Sequence, residues 1–326
     1  MIAFRHFTLR SNPSAALPQF PSYAFASSMQ TLLQQELLTW KAQSPMSRGP
    51  PPPPSIISFT PTPTYTLGRR QTEPLSESES ARLRSPLFVP TSSSSDLHGP
   101  RKAAFFLPTI THAPRGGLTT YHGPGQLVIW PVIDLHSPLH AHLSVRDYAC
   151  LLEKTTIAAL EREWGLTGFT TENPGVWVRS TGSKKEDGSR GDGGDERKIA
   201  ALGVHLRRHV TGLGVAINYS MPVTGPAETN PWGRIVACGL GDRGVTSACA
   251  ELGIGNGSGP MSGDEKALEN LAETWRSEFQ SRLKIHKDVG NRAEFDVDQS
   301  MKELSSLVRE RDDSRVTAHP ISNLET

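Results

Sequence analysis

Between Tyr23 and Trp40, apolar residues fall at Ala26, Met29, Leu33, Leu37 and Trp40, with Gln30 the one polar residue in the stripe. This three-and-four spacing predicts an amphipathic helix. The same period returns at Leu268, Leu271, Ala272, Trp275, Phe279 and Leu283 and predicts a helix over Asp264 to Lys284. A further helix is framed by its ends: Ser144 can cap it, Asp147 follows three residues on, and Gly165 closes it after Trp164. Shorter apolar runs predict strands. "SIISFTPTPTYTLGRR" reads as a strand and a turn, and Phe105 to Ile133 as two strands flanking a glycine-rich loop. "GVWV" (Gly175 to Val178), "KIAALGVHL" (Lys198 to Leu206) and "GLGVAINYS" read as strands, and "GRIVACGLG" as a strand running into a turn.

Polar and proline-rich stretches interrupt this pattern. Pro50 to Pro54 favour a polyproline spacer, residues 73–100 read as a surface excursion rich in Ser, Glu and Pro, and "STGSKKEDGSRGDGGDER" lacks the apolar residues that would offset its ordering entropy. After Lys287 the pattern fades into a charged tail, and no repeat shows at a period of roughly 20 to 50 residues. Helices and strands mix without regular β-α-β alternation, which predicts an α+β fold rather than a doubly wound one.

The chain has 326 residues, 36% of them hydrophobic, and a net charge of +1. That is enough to bury a sizeable core, and the charge balance argues against a general nucleic-acid surface. No apolar run approaches the roughly 18 residues of a membrane helix. Three irregularly spaced cysteines, Cys150, Cys238 and Cys249, make neither a disulfide framework nor a CxxC zinc site, and point to a reducing compartment. The first acidic residue is Glu36, preceded by Arg5, Arg10 and several serines. "IAFRHFTL" therefore reads either as part of a mitochondrial targeting segment or as a first strand.

Four features carry candidate chemistry. In "RGGLTTYHGPGQ" the glycines let backbone approach a ligand, with Arg115 and His122 placed to bind or polarise it; a plain interstrand turn is the competing reading. In "GRIVACGLGDRG", Gly239, Gly241 and Gly244 have dinucleotide-fingerprint spacing, but "VTSACAELG" is too short for the helix such a motif opens. Cys238, at the end of an apolar run and directly before glycines, is either a nucleophile beside open backbone N–H groups or a buried structural thiol. Lys198 opens a strand, where a lysine is ordinarily solvated. His136, His140 and His142 mimic metal-ligand spacing but surround Pro138 in a loop, so no metal site is expected.

Taken together, "PTPTYTLGRR", "RGGLTTYHGPGQLVIWPVIDL", "KIAALGVHLRR", "GVAIN" and "ACG" occur in the order and at about the distances found in lipoyl(octanoyl) transferases. The chain resembles that family from about Ile2 to Leu252. The resemblance implies a biotin/lipoate-ligase-like α+β fold, related to class II aminoacyl-tRNA synthetases, with a mixed sheet flanked by helices. It implies one catalytic domain over residues 1–286, inserted loops at about 44–55, 73–100 and 180–197, and a tail over 287–326.

It also implies roles. An octanoyl group would pass from acyl carrier protein to Cys238 as a thioester, then to a lysine of a lipoyl domain, with Lys198 as the group that activates the thiol. Arg115, Gly116, Gly117, Leu118, Thr119, Thr120, Tyr121 and His122 would form one wall of the acyl pocket, and Ala201, Leu202, Gly203, Gly214, Val215 and Ala216 the others. The implied acceptors are the lipoyl domains of 2-oxoacid dehydrogenase E2 subunits and the glycine cleavage H protein, the implied compartment the mitochondrion, and the implied state a monomer. No cofactor, nucleic acid or membrane partner is expected. Around Cys238, the five basic residues Lys198, Arg207, Arg208, Arg234 and Arg243 outnumber Glu228 and Asp242, which suits acidic carrier and lipoyl domains. The sequence departs from the family in placing Leu213 where a histidine is usual and Ala237 where a proline is frequent. A lipoate or biotin ligase on the same fold, or a non-catalytic protein that docks lipoyl domains, are the alternative readings.

Overall fold

The computed structural model describes residues 4–10, 19–90, 103–179, 195–235, 244–254, 264–284 and 319–320. Its centre is a mixed sheet built from β1 (Arg5–Leu9), β2 (Ser55–Phe59), β8 (Gln126–Val132), β11 (Val210–Asn218), β10 (Glu196–Arg207) and β12 (Gly244–Val245) in that order, with β9 (Gly175–Arg179) also paired to β10. The residues "IAFRHFTL" thus supply an edge strand, parallel to β2 and tied by an ion pair between Arg5 and Glu36 at 2.6 Å.

Helices cover both faces. On one, α1 (Tyr23–Ala42) packs Ala26, Met29, Leu33 and Leu37 against Ile57, Phe59, Val128 and Trp130. On the other, α3 (Val145–Trp164) and α5 (Asp264–Leu283) bury Leu152, Leu160, Leu271, Trp275 and Phe279 against Leu127, Ile129, Val215 and Ile217. The capping signals at α3 act as the spacing predicts: Ser144 and Asp147 form a capping box, and Gly165 ends the helix at φ 66°.

A smaller layer departs from expectation. "TPTPTYTLGRR" is not a turn alone but carries β3 (Thr64–Leu67), and the region before β8 holds β5 (Ala103–Phe106), β6 (Thr109–His112) and β7 (Thr120–His122). β6, β3 and β7 form one three-stranded sheet. Within 73–100, α2 (Glu77–Arg84) and β4 (Leu87–Pro90) bring Leu83, Leu87 and Val89 into a third apolar cluster with Tyr65, Tyr121 and Trp232, so this stretch contributes core. "GRIVACGLG" begins in a 3₁₀ turn, Pro231–Arg234, and α4 (Ala248–Glu251) is four residues long. Glu196 and Arg197, read as the end of the polar linker, belong to β10, and residues 180–194 lie outside the described part. Of the tail, His319–Pro320 form β13, paired with Ala104 and Phe105.

Candidate active site

Three separate stretches meet in one pocket under α1. Arg115, Thr120 and His122 come from the glycine-rich loop and β7, Ala201, Leu202 and Gly203 from β10, and Gly214, Val215 and Ala216 from β11. Antiparallel pairing makes the meeting possible: Ala201 lies opposite Ala216, Leu202 opposite Val215 and Gly203 opposite Gly214. Gly203 is needed for close packing, because a Cβ there would come within 2.7 Å of the Arg115 Cδ.

Strand alternation sorts the remaining expected residues. Thr120 and His122 point into the pocket, whereas Tyr121, between them, points into the cluster with Tyr65 and Trp232. Gly116, Gly117, Leu118 and Thr119 do not line the pocket; they frame the loop behind it. Arg115 holds that loop, donating to the carbonyls of Gly116 (2.9 Å) and Leu118 (2.8 Å), and to the carbonyl (2.7 Å) and hydroxyl (2.8 Å) of Thr66 on β3. Its guanidinium thus fixes the loop while its stem forms the wall beside Gly203.

Sequence reasoning missed Tyr23, Val128 and Trp130, which line the pocket; Leu213, expected at the wall in place of the family histidine, lines it too. Val128 and Trp130 were detectable as alternate residues of "LVIW", which must share a face. Tyr23 gave no signal beyond opening a helix.

One end of the pocket is polar. His122 Nδ1 lies 2.8 Å from Gln126 Oε1, and the Gln126 amide donates to Asn218 Oδ1. With its amide nitrogen committed to Asn218, Gln126 presents oxygen to the ring, so Nδ1 carries the proton. Burial lowers the His122 pKa to about 4, the neighbouring Arg115 charge adding to the effect against the Gln126 bond, so the ring is neutral at pH 7. Its face stacks on Tyr23 with ring centres 5.6 Å apart. The Thr120 hydroxyl is buried in the same wall and has no hydrogen-bond partner among the described residues.

Lys198 stands on β10 before the pocket segment. It is 6% exposed; Nζ donates to the Pro174 carbonyl at 3.1 Å and lies 4.7 Å from the centre of the Trp177 ring. Cys238 lies outside the described residues, but its segment is bounded on both sides. Before it, Arg234 is buried and donates to the carbonyls of Ala227, Ser85 and Pro86. After it, β12 pairs with β10, Gly244 opposite Arg197 and Val245 opposite Lys198.

The chain matches the model of the lipoyl protein ligase A/B catalytic domain over residues 107–256. It is 34% identical over 226 residues to a "Probable octanoyltransferase" of Schizosaccharomyces pombe, covering 69% of this chain and 80% of that one. The chain belongs to the octanoyltransferase family. A Danio rerio relative, a mitochondrial octanoyl-[acyl-carrier-protein]:protein N-octanoyltransferase, is 31% identical over 221 residues, covering 68% of this chain and 75% of its own length. Among solved structures, a bipartite lipoate protein ligase of Thermoplasma acidophilum superposes with a TM-score of 0.50, covering 95% of this chain and 92% of its own at 13% identity. At that identity the two share a fold, the ligase-like α+β architecture. The protein is therefore an acyltransferase of the octanoyltransferase type.

Proposed function

We propose that this octanoyltransferase acts in protein lipoylation by carrying the octanoyl group on Cys238, with Lys198 as its proton shuttle. The observation that supports this most is the pairing of β12 with β10. Val245, seven residues past Cys238, lies opposite Lys198, so the chain bearing the thiol returns beside the lysine. An ammonium there favours the thiolate of a group whose ordinary pKa, about 8.5, leaves it mostly protonated at neutral pH.

The chemistry balances without nucleotide. The Cys238 thiolate adds to the carbonyl carbon of an octanoyl thioester on acyl carrier protein, and the carrier's sulfur leaves with a proton from Lys198. The acceptor amine then attacks the enzyme thioester; its proton passes to Lys198, and the Cys238 sulfur is released. Thioester exchange is nearly isoenergetic, and amide formation runs downhill. The pocket under α1 takes the octanoyl chain, with apolar walls from Tyr23, Val128, Trp130, Leu213 and Ala216 and a neutral polar end at His122.

The acceptors on this reading are the lipoyl domains of 2-oxoacid dehydrogenase E2 subunits and the glycine cleavage H protein, in the mitochondrion. Residues 1–286 act as a single catalytic domain. Intact mass spectrometry after incubation with octanoyl-acyl carrier protein tests the mechanism. A hydroxylamine-sensitive octanoyl adduct is expected on the native protein, on Cys150→Ala and on Cys249→Ala, and is expected to vanish in Cys238→Ala. Cys150 is half-buried on α3 and Cys249 is buried. An adduct that survives Cys238→Ala overturns the assignment.

A further inference from the structure

Leu213 breaks the alternation of β11. Val215 and Ile217 face α3 and α5 while Ala216 faces α1, so regular alternation would send Leu213 to the α3 and α5 side. Its register partner Val204 does pack on that side. Leu213 instead has φ 61°, a left-handed conformation rare for leucine, and its side chain is buried under α1, 4% exposed. The reversed residue therefore delivers its side chain into the acyl pocket.

Two amides of α1 hold this arrangement. Gln30 Oε1 accepts the Leu213 N–H at 2.6 Å, and Gln34 Nε2 donates to the Thr211 carbonyl at 3.0 Å. They close on Gly212 between them, where a Cβ would come within 2.4 Å of Gln34 Nε2. A strained backbone held by two amide side chains, Gln30 buried and Gln34 half-buried, is a position that the surrounding structure over-determines.

We infer that Leu213 is the stop that sets acyl-chain length. This rests on the proposed function, which puts the thioester at the Lys198 end of β10. His122, Gln126 and Asn218 lie at that polar end, since Gln126 is paired with Asn218. Along β11 the pocket lining runs from Ala216, opposite Ala201 on β10, to Leu213, opposite Val204. Three residues of strand span about 10 Å, close to the roughly 9 Å of an extended eight-carbon chain. A saturated acyl chain entering at Ala201 thus meets the Leu213 side chain with its terminal methyl, Trp130 closing the wall beside it.

The test is single-turnover loading of Cys238 from an equimolar mixture of hexanoyl, octanoyl, decanoyl and dodecanoyl carrier thioesters, read by intact mass. Leu213→Gly keeps the left-handed backbone without steric penalty and removes the stop; Leu213→Ala removes the stop alone. Both are expected to raise the decanoyl-to-octanoyl ratio at least about tenfold, and Leu213→Phe to raise the hexanoyl-to-octanoyl ratio. Loading by the native protein with ratios in Leu213→Gly within about twofold of native overturns the inference and leaves the thioester mechanism standing. No acyl loading of the native protein overturns the mechanism and the inference together.

Discussion

Gln126 donates its side-chain amide to Asn218 Oδ1 at 2.9 Å, and through that bond the pocket histidine is tied to the strand carrying Lys198. Asn218 Nδ2 donates to the Thr246 carbonyl at 2.9 Å, and the Thr246 N–H donates to the Lys198 carbonyl at 3.0 Å. The path from His122 to β10 is one of buried groups, each bonded to the next. Gln126→Leu removes the central member and leaves His122 and Asn218 each short of a partner. The expected loss is about 2 to 4 kcal/mol of folding stability, measured by urea denaturation. A loss below about 0.5 kcal/mol would show that the network does not act as a unit.

Burial of neutral His122 makes stability depend on acid. The folded pKa is about 4 against an unfolded value near 6.5, so between these values the unfolded chain binds more protons. The contribution is fully present above about pH 6.5 and is lost as pH falls toward 4, amounting to roughly 3 kcal/mol. His122→Gln should flatten the stability profile between about pH 6.5 and 4.5. An unchanged slope in that variant would place the acid sensitivity elsewhere.

Lys198→Ala is expected to slow iodoacetamide alkylation of Cys238 about tenfold near pH 7, because the proposed mechanism relies on the Lys198 ammonium to favour the thiolate. Octanoyl transfer should fall with it. Alkylation that follows the native pH profile would uncouple the two residues.

Arg234 forms three bonds to carbonyls on two separate segments, and a lysine cannot reproduce that fork. Arg234→Lys is expected to lower stability by about 1 to 3 kcal/mol and to slow acyl loading of Cys238, four residues on. Native loading in the variant would confine Arg234 to holding α2 and β4 in place.

Arg179 and Glu196 are paired across β9 and β10 and joined by a 3.2 Å ion pair, so the ends of the stretch between them already meet. Replacing residues 181–194 with a short Gly-Ser turn is expected to leave the melting temperature within a few degrees of native and turnover nearly intact. A large fall in either would reveal a contact made by the replaced residues.

The helices were legible in the sequence because their signals are local: the Ala26 to Trp40 stripe, and the Ser144, Asp147 and Gly165 ends of α3. The pocket residues Arg115, Thr120, His122, Ala201 to Gly203 and Gly214 to Ala216 were legible as motifs, and the sheet register explains why those motifs meet. The β3 to β7 layer was not. β3 is only four residues long and follows Pro61 and Pro63, which read as a turn, and Leu83, Leu87 and Val89 are scattered in a Ser-rich stretch. Tyr121 was misplaced by reading its motif as a continuous wall where a strand presents every second residue. Leu213 was placed at the wall by its motif position alone; the left-handed backbone that turns its side chain there leaves no mark in the strand pattern.

The edge strand β1 bears on how far the chain can be shortened. Its backbone adds a lane to the sheet beside β2, and Arg5 reaches across to Glu36 on α1, the helix that supplies Tyr23, Gln30 and Gln34 to the pocket and its support. Trimming past Arg5 would bare the edge of β2 and loosen the helix lying over the pocket. Serial N-terminal deletion should therefore meet an abrupt limit at β1, with activity and solubility failing at the same residue rather than declining by degrees.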